Sequence, residues 1–409
     1  MKVFQINTVC GSGSTGRIAV NLAHMLEAQG HESCIAYARG NAPEDVDSFR
    51  FGSKLEIYWH GIMTRLTDRH GMYSKGATKQ LIAKIKEYNP DIIHLHNVHG
   101  YYVNIEMLFS FLKEYKRPVV WTLHDCWTYT GHCSHYTCVK CDKWKTQCYE
   151  CPLKRDYPGS LLLDNSRNNY QKKKALFTGL EQLHLVTPSV WLKEQVEQSF
   201  FFQNHKERSR EIVCTAIPNG IETDKFVRTA SDLKERYRIE NKKVILGVAN
   251  VWTKQKGIED FIQLSKLLDD NYQLVMIGMD EKRKRMLPKN ILALERTKNI
   301  GELIQWYSVA DVYFNSSIEE TMGMTTGEAI SCGIPVVTYD STAVPESVGE
   351  GCGHVIPAGN VKMVKEAIER IEVDRDSYVK NCLAYKKQFA EKKANEAYSR
   401  IYQDVLEER

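Results

Sequence analysis

The sequence predicts an α/β protein made of two parallel, doubly wound halves. Three observations lead there. Short apolar runs of strand length alternate with segments long enough for helices along the whole chain. The alternation comes in two series, the second beginning near Ile212, with a boundary near Ala216 just before Pro218-Asn-Gly. The 409 residues suffice for two domains of ordinary size, each able to bury its own core.

The first series comprises Val3 to Asn7, Ser33 to Ala38, Asp91 to Leu95, Val119 to Leu123 and His184 to Thr187. Met1-Lys-Val-Phe-Gln-Ile-Asn7 reads as its opening strand and not as a signal peptide. No run of about 18 apolar residues is present, so a cytoplasmic protein is expected. Gly11-Ser12-Gly13-Ser-Thr-Gly16 then opens a helix, and its glycines permit close backbone approach to a ligand. These glycines fit the dinucleotide spacing, but Ala36-Tyr-Ala-Arg39 ends the next strand without a carboxylate, which disfavours a dehydrogenase. His96 and His124 each follow an apolar strand, so both are expected at the carboxyl edge of the sheet as ligand contacts. Asp125 either orients His124 or accepts a hydroxyl of the second substrate. His94 lies on the same side of its strand as His96, with a buried partner as the alternative to a ligand.

The second series runs through Val244 to Ala249, Gln273 to Ile277, Val312 to Phe314 and Pro335 to Thr338. It forms a second half of the same class, so two Rossmann-like domains facing each other across a cleft are expected. The most informative stretch lies inside it. In Glu320-Thr321-Met322-Gly323-Met324-Thr-Thr-Gly327-Glu328, two carboxylates bracket a glycine-bearing loop that follows a strand and opens a helix. Such a loop lies at the carboxyl edge of a parallel sheet, where the first N–H groups of the helix are unsatisfied and attract anions such as a diphosphate. Glu320 in the loop can reach a sugar while Glu328, about a turn into the helix, reaches a ribose diol. For Glu328 the alternative is a glutamate favoured only by the helix dipole.

Read with its neighbours, Ser316 to Thr338, with its paired glutamates and Cys-Gly-Ile-Pro-Val-Val, resembles the donor-site segment of family-4 retaining glycosyltransferases. Further matches follow in the family's order: Gly11 to Arg17, Leu22-Ala, Gly30-His-Glu, Pro90 to His96, Thr122-Leu-His124-Asp125, Thr187-Pro-Ser189, Pro218-Asn-Gly-Ile221 and Lys256-Gly257. The segment from His124 to Asp164 is similar to a subgroup that builds bacterial capsular or exopolysaccharides. The resemblance implies the GT-B fold: residues 1–215 binding an acceptor, completed by 387–409, and residues 216–386 binding a nucleotide sugar. The last helix would cross back to the first domain, a role that suits Tyr378 to Leu406 with aromatics at Tyr385, Phe389, Tyr398 and Tyr402.

Taken with the residues above, the resemblance implies donor contacts from Gly13, Asn250, Lys254, Lys256, Glu320, Thr321, Met322, Gly323, Met324 and Glu328. Gly11, Ser12, His96 and Asp125 would hold the acceptor, with catalytic roles for Glu320, His124 and Lys256. Lys256 matches the family's phosphate lysine. The family usually places an arginine soon after the preceding strand, where Asn250-Val-Trp252-Thr-Lys254 stands here, so Lys254 is the expected substitute. The Asp-x-Asp spacing that could hold a catalytic metal occurs only at Asp374-Arg-Asp376, in a charged helical stretch read as a solvated face. No cofactor for catalysis is therefore expected, and positive charge must come from side chains and helix ends. The expected partners are a UDP-sugar and a glycan or lipid-linked acceptor, with transfer by front-face attack.

Twelve cysteines would be unusual as disulfides in that compartment. Cys126, Cys133, Cys138, Cys141, Cys148 and Cys151 cluster in one insertion, with Cys138-x-x-Cys141 and Cys148-x-x-Cys151 spaced as two metal knuckles. A structural zinc is expected to fix a segment too polar to form its own core, with reduced unliganded cysteines as the alternative. The subgroup resemblance implies the tetrad Cys133, Cys141, Cys148 and Cys151. Two other readings are a sugar-nucleotide epimerase of the same architecture and a zinc-ribbon nucleic-acid binder using Lys172-Lys-Lys174 or Lys206 to Arg210. A net charge of only +4 and short basic runs argue against nucleic acid. The same runs could hold the first domain against anionic lipid at the inner face of a membrane.

Overall fold

The computed structural model describes residues 1–203 and 212–407, so the basic run Lys206 to Arg210 lies outside the described residues. The chain divides into two compact units, Met1–Pro218 with Asn395–Arg409, and Asn219–Ala394.

The first unit is built on seven strands: β1 (Lys2–Ile6), β2 (Glu32–Tyr37), β3 (Ser48–Arg50), β4 (Ile92–Leu95), β5 (Val119–Thr122), β6 (Leu183–Thr187) and β7 (Val213–Ala216). All pair in parallel in the order β3-β2-β1-β4-β5-β6-β7. β7 corrects one expectation: the run near Ile212 does not begin a second series but closes the first sheet, pairing Cys214 with Leu185. Phe4, Ile6, Leu95 and Trp121 are fully buried in one core with Phe109 and Phe177, against which Trp121 packs with ring centroids 5.1 and 4.9 Å away. Each such side chain contributes about 1.5–3 kcal/mol by leaving water.

His94 is the polar exception inside β4. Its Nδ1 is 2.6 Å from the Tyr402 hydroxyl and its Nε2 is 2.8 Å from Thr122 Oγ1, which also meets the Tyr398 hydroxyl at 2.9 Å. It is a buried partner, and its partners sit on the last helix. That helix, Glu391–Glu407, is not one continuous run from Tyr378. Helix Arg375–Tyr385 ends in a 3-10 turn at Lys386–Phe389, and Ile221 takes the backbone there, donating to the Phe389 carbonyl and accepting from Glu391 N–H. Phe389 therefore packs in the second unit's core while Tyr398 and Tyr402 belong to the first unit.

The second unit has six strands: β8 (Lys243–Val248), β9 (Tyr272–Ile277), β10 (Ile291–Leu294), β11 (Val312–Asn315), β12 (Val336–Asp340) and β13 (Gly353–Pro357). They are parallel in the order β10-β9-β8-β11-β12-β13. Alternate residues face opposite layers: Leu246, Tyr313 and Val336 enter one core, Ile245, Phe314 and Val337 the other. Both units thus share the order 3-2-1-4-5-6, which reverses between β1 and β4 and between β8 and β11. Ligands bind outside the carboxyl ends of strands at such reversals. Asp374 and Asp376 are exposed where helix Arg375–Tyr385 begins. Among the described residues no helix is long and apolar enough to cross a membrane.

Replacing Tyr402 by phenylalanine removes a hydroxyl and leaves a buried ring nitrogen of His94 without its partner, at a cost of about 1–3 kcal/mol. Urea unfolding of Tyr402→Phe is expected to show a lower midpoint; an unchanged midpoint would mean the contact adds nothing.

Candidate functional site

In the second unit three loops at neighbouring strand ends are tied together. The loop after β8 reaches Gly257 at φ +73, where helix Ile258–Leu267 begins. A Cβ at Gly257 would fall 2.3 Å from the Ser316 carbonyl oxygen, so only glycine admits this approach. Ser316, just past β11, donates its hydroxyl to the Lys256 carbonyl at 2.8 Å, and Ile318 N–H donates to the Gln255 carbonyl at 2.9 Å. The loop after β12 joins through Ser341, whose hydroxyl donates to the Ile318 carbonyl at 2.7 Å, and through Thr342 Oγ1, which accepts from Glu320 N–H at 3.0 Å.

This frame sets Lys256 Nζ 2.5 Å from Glu320 Oε1, both side chains being partly exposed. Three residues on, Gly323 caps helix Met324–Ser331; as a glycine it offers no side-chain capping oxygen, and Met324 N–H turns to the Met322 carbonyl at 3.0 Å. Thr321 and Met324 are half-buried beside it, and Met322 is buried, its sulfur accepting from Asn219 N–H at 2.9 Å. Glu328 is buried one turn in and accepts the Tyr307 hydroxyl at 2.9 Å. Burial, reinforced by the Glu328 charge, drives the Tyr307 phenol well above its ordinary range, so it stays a donor. Asn250 and Lys254 are exposed on the loop after β8. Between them Trp252 is buried and donates its indole N–H to the Ile277 carbonyl at 2.8 Å, an apolar anchor where the family's arginine was expected.

In the first unit the glycine loop follows β1. Gly11 has φ +72 and a Cβ there would meet Pro43 at 2.7 Å; Gly13, at φ +65, opens helix Gly13–Ala28 behind Ser12. Beyond β4 and β5, His96 and His124 meet with Nδ1 of the first 3.2 Å from Nε2 of the second. Gln5, in β1, fixes the protons. Its amide donates to the Ala19 carbonyl and to Ser33, so its oxygen accepts from His96 Nε2–H at 3.1 Å. Burial holds His96 well below its ordinary pKa and neutral, so its Nδ1 accepts from His124 Nε2–H. His124, lowered to about 4 chiefly by burial, then carries its lone pair on Nδ1. Asp125 turns one oxygen to His99 Nε2 at 2.9 Å and the other to Trp127 N–H. Burial opposes its ionisation, but His99 and the Trp127 N–H outweigh that and hold it at about 2. Sequence reading missed Gln5, Thr342 and His99. The signal for Gln5 was a polar residue inside an apolar strand; Thr342 and His99 gave none.

The cysteine-rich segment corrects one expectation. It does form its own core: Tyr129 and Tyr136 pack on buried Trp144 with centroids 5.1 and 5.0 Å away, continuous with the first unit's interior. Aromatic packing therefore supplies the order that a metal was invoked to provide. The free thiols of Cys133 and Cys151 share a hydrogen bond, Cys148 accepts from Gly131 N–H at 3.2 Å, Cys138 is exposed and Cys141 half-buried. Among the described residues no three His, Cys, Asp or Glu side chains stand at metal-binding spacing, so the tetrad Cys133, Cys141, Cys148 and Cys151 is not assembled.

Residues 15–225 match the family described as Glycosyltransferase Family 4, and residues 230–389 match Glycosyl transferases group 1. WcaC of Escherichia coli K12, named as a glycosyl transferase of colanic acid biosynthesis, is 23% identical over 87% of this chain and 87% of its own. The capsular polysaccharide biosynthesis glycosyltransferase CapM of Staphylococcus aureus is 25% identical over 45% of this chain and 52% of its own. Among solved structures, sucrose-phosphate synthase from Thermosynechococcus elongatus superposes with a TM-score of 0.70 at 14% identity, covering all of both chains. HepE from Anabaena, solved with UDP, gives 0.68 at 14% identity over 99% of this chain and 100% of its own. At these identities the structures establish the GT-B fold of two parallel α/β domains.

The buried histidines make stability depend on pH. His94 (about 3), His96 and His124 (about 4) are all lowered by burial, so the folded state holds them neutral while the unfolded chain protonates near 6.5. Their contribution is complete above about pH 6.5 and is lost as pH falls through the folded values. His60 and His70 are lowered by burial in the same way, and His132, raised because its pairing with Asp68 outweighs burial, works in the opposite direction, one group against five. The urea midpoint is expected to fall steadily from about pH 6.5 to about pH 5; a flat midpoint over that range would contradict the neutral-histidine assignment.

Proposed function

Since the chain belongs to glycosyltransferase family 4 and is a hexosyltransferase-type enzyme of the GT-B fold, we propose that it moves a sugar, with retention, from UDP-sugar to a glycan or lipid-linked acceptor of bacterial surface polysaccharide. The observation that carries the donor half is the Lys256–Glu320 pair, held by three strand-end loops beside the open N-terminus of helix Met324–Ser331. A diphosphate carries the charge that Lys256 and the helix N–H groups lack, and it would draw Lys256 from Glu320. Glu320 is then released to hold donor-sugar hydroxyls. Glu328, oriented by Tyr307, accepts the ribose diol. That HepE is solved with UDP and with UDP-glucose supports uracil as the base.

In this reading the acceptor hydroxyl attacks the face from which the diphosphate leaves. The carbon–oxygen bond to the phosphate breaks as the new glycosidic bond forms. The acceptor proton passes to the departing phosphate, while Lys256 and the loop N–H groups stabilise the charge that develops there. His124, fixed in its tautomer by His96 and Gln5, would help to orient the acceptor.

Saturating UDP at about 100 times Kd stabilises a folded protein by about 2.7 kcal/mol, a rise of several degrees in Tm. UDP is expected to give that rise, Lys256→Met to abolish it, and Glu320→Gln to keep it while lowering kcat about 100-fold. A folded protein that responds to no nucleotide, or a Glu320→Gln enzyme with full turnover, would refute the assignment.

A further inference from the structure

Away from the residues assigned above, the first unit carries a hollow of about 500 Å³ lined by Arg39, Arg50, Lys54 and Arg65 together with Tyr58 and Tyr101. Among the described residues its lining holds no carboxylate. Arg39 and Arg65 flank the Tyr101 ring at 5.6 and 5.9 Å from its centroid, and Tyr101 itself is held at φ +68. Arg39 Nε is buried without a hydrogen-bond partner, a cost of about 1–3 kcal/mol that an anionic guest would remove. Guanidinium groups match phosphate oxygens in two-pronged geometry, and three of them with a lysine exceed what a single negative charge would balance.

The wall of this hollow is helix Lys54–Thr67, which breaks the usual rule for a surface helix. Leu55, Tyr58, Trp59, Ile62 and Leu66 are exposed, Leu55 by 81% and Trp59 by 59%. The spacing puts Leu55, Tyr58, Trp59, Ile62 and Leu66 on one stripe of the helix. Leu161, Leu162 and Leu163 continue the apolar surface, tied to the helix end by Leu161 N–H donating to the Arg65 carbonyl at 2.8 Å. An apolar stripe carrying tryptophan and tyrosine beside a cluster of cations is the composition of a helix that lies in a membrane interface. The hollow also borders the acceptor residues. A Cβ on Gly40 in its wall would stand 3.6 Å from Ser12 Oγ, and Tyr101 packs on Tyr157, whose hydroxyl meets His99, the partner of Asp125.

We propose that this hollow seats the diphosphate headgroup of a membrane lipid, with the exposed face of helix Lys54–Thr67 laid into the bilayer surface. A lipid brings anion and hydrocarbon covalently joined, matching a cationic hollow whose wall is the apolar helix. The proposal rests on the transferase reading and makes the acceptor lipid-linked.

The test is flotation of the full chain with phosphatidylcholine vesicles containing undecaprenyl diphosphate. The comparisons are vesicles of equal charge made with phosphatidylglycerol, and inorganic diphosphate in solution. Binding to the diphosphate lipid is expected to be at least about tenfold tighter than to either. Arg50→Gln, at an exposed position, and Trp59→Ser with Ile62→Ser are each expected to lose about tenfold on the diphosphate-lipid vesicles. Equal binding to phosphatidylglycerol would reduce the surface to general membrane charge, equal binding of inorganic diphosphate would make it a free-phosphate site, and absence of vesicle binding would remove it. Each overturns the proposal. UDP stabilisation separates the two readings: a protein that responds to UDP but ignores vesicles refutes this inference alone, and one that binds the vesicles but no nucleotide refutes the donor assignment.

Discussion

The contact on which the donor side depends is between backbones. Gly257 lets the loop after β8 lie against Ser316, and two hydrogen bonds, Ser316 Oγ to the Lys256 carbonyl and Ile318 N–H to the Gln255 carbonyl, hold it there. Strand order makes that contact available, because β8 and β11 are neighbours although three helices and two strands separate them in the chain. The bond to its carbonyl fixes the Lys256 backbone at the strand ends. Its ammonium meets Glu320 because Glu320 is held in turn by Thr342. In the proposed reading a diphosphate would open this ion pair by competing for Lys256.

The first unit follows a different principle. It fills the corresponding strand ends with histidines kept neutral by burial, so that hydrogen bonds and not charge set their geometry. Gln5 at the base of the chain determines which nitrogen of His124 bears a proton, two rings away. The charge of that unit is placed elsewhere, in the arginine-lined hollow beside helix Lys54–Thr67.

Most of the architecture was legible because buried strands announce themselves. Val3 to Asn7, Ser33 to Ala38 and Val244 to Ala249 each lie within a residue of a real strand. The strands that escaped, Ser48–Arg50, Ile291–Leu294 and Gly353–Pro357, lie at sheet edges, where one side faces solvent and the apolar run thins out. β7 was read but given to the wrong half, since a strand's sequence does not say which sheet it joins. The residues 320–328 were legible as a loop opening a helix, but the meeting of Lys256 and Glu320 was not, because it depends on strand order. In the cysteine-rich segment the two C-x-x-C pairs drew attention away from Trp144, Tyr129 and Tyr136, which carried the packing signal for a core of its own.

The most direct measurement is a crystal structure of the chain with UDP. The diphosphate is predicted to lie within hydrogen-bond distance of Lys256 Nζ and the first N–H groups of helix Met324–Ser331, with the Lys256–Glu320 contact opened. UDP bound instead at the Gly11–Gly13 loop, with that ion pair intact, would contradict the account.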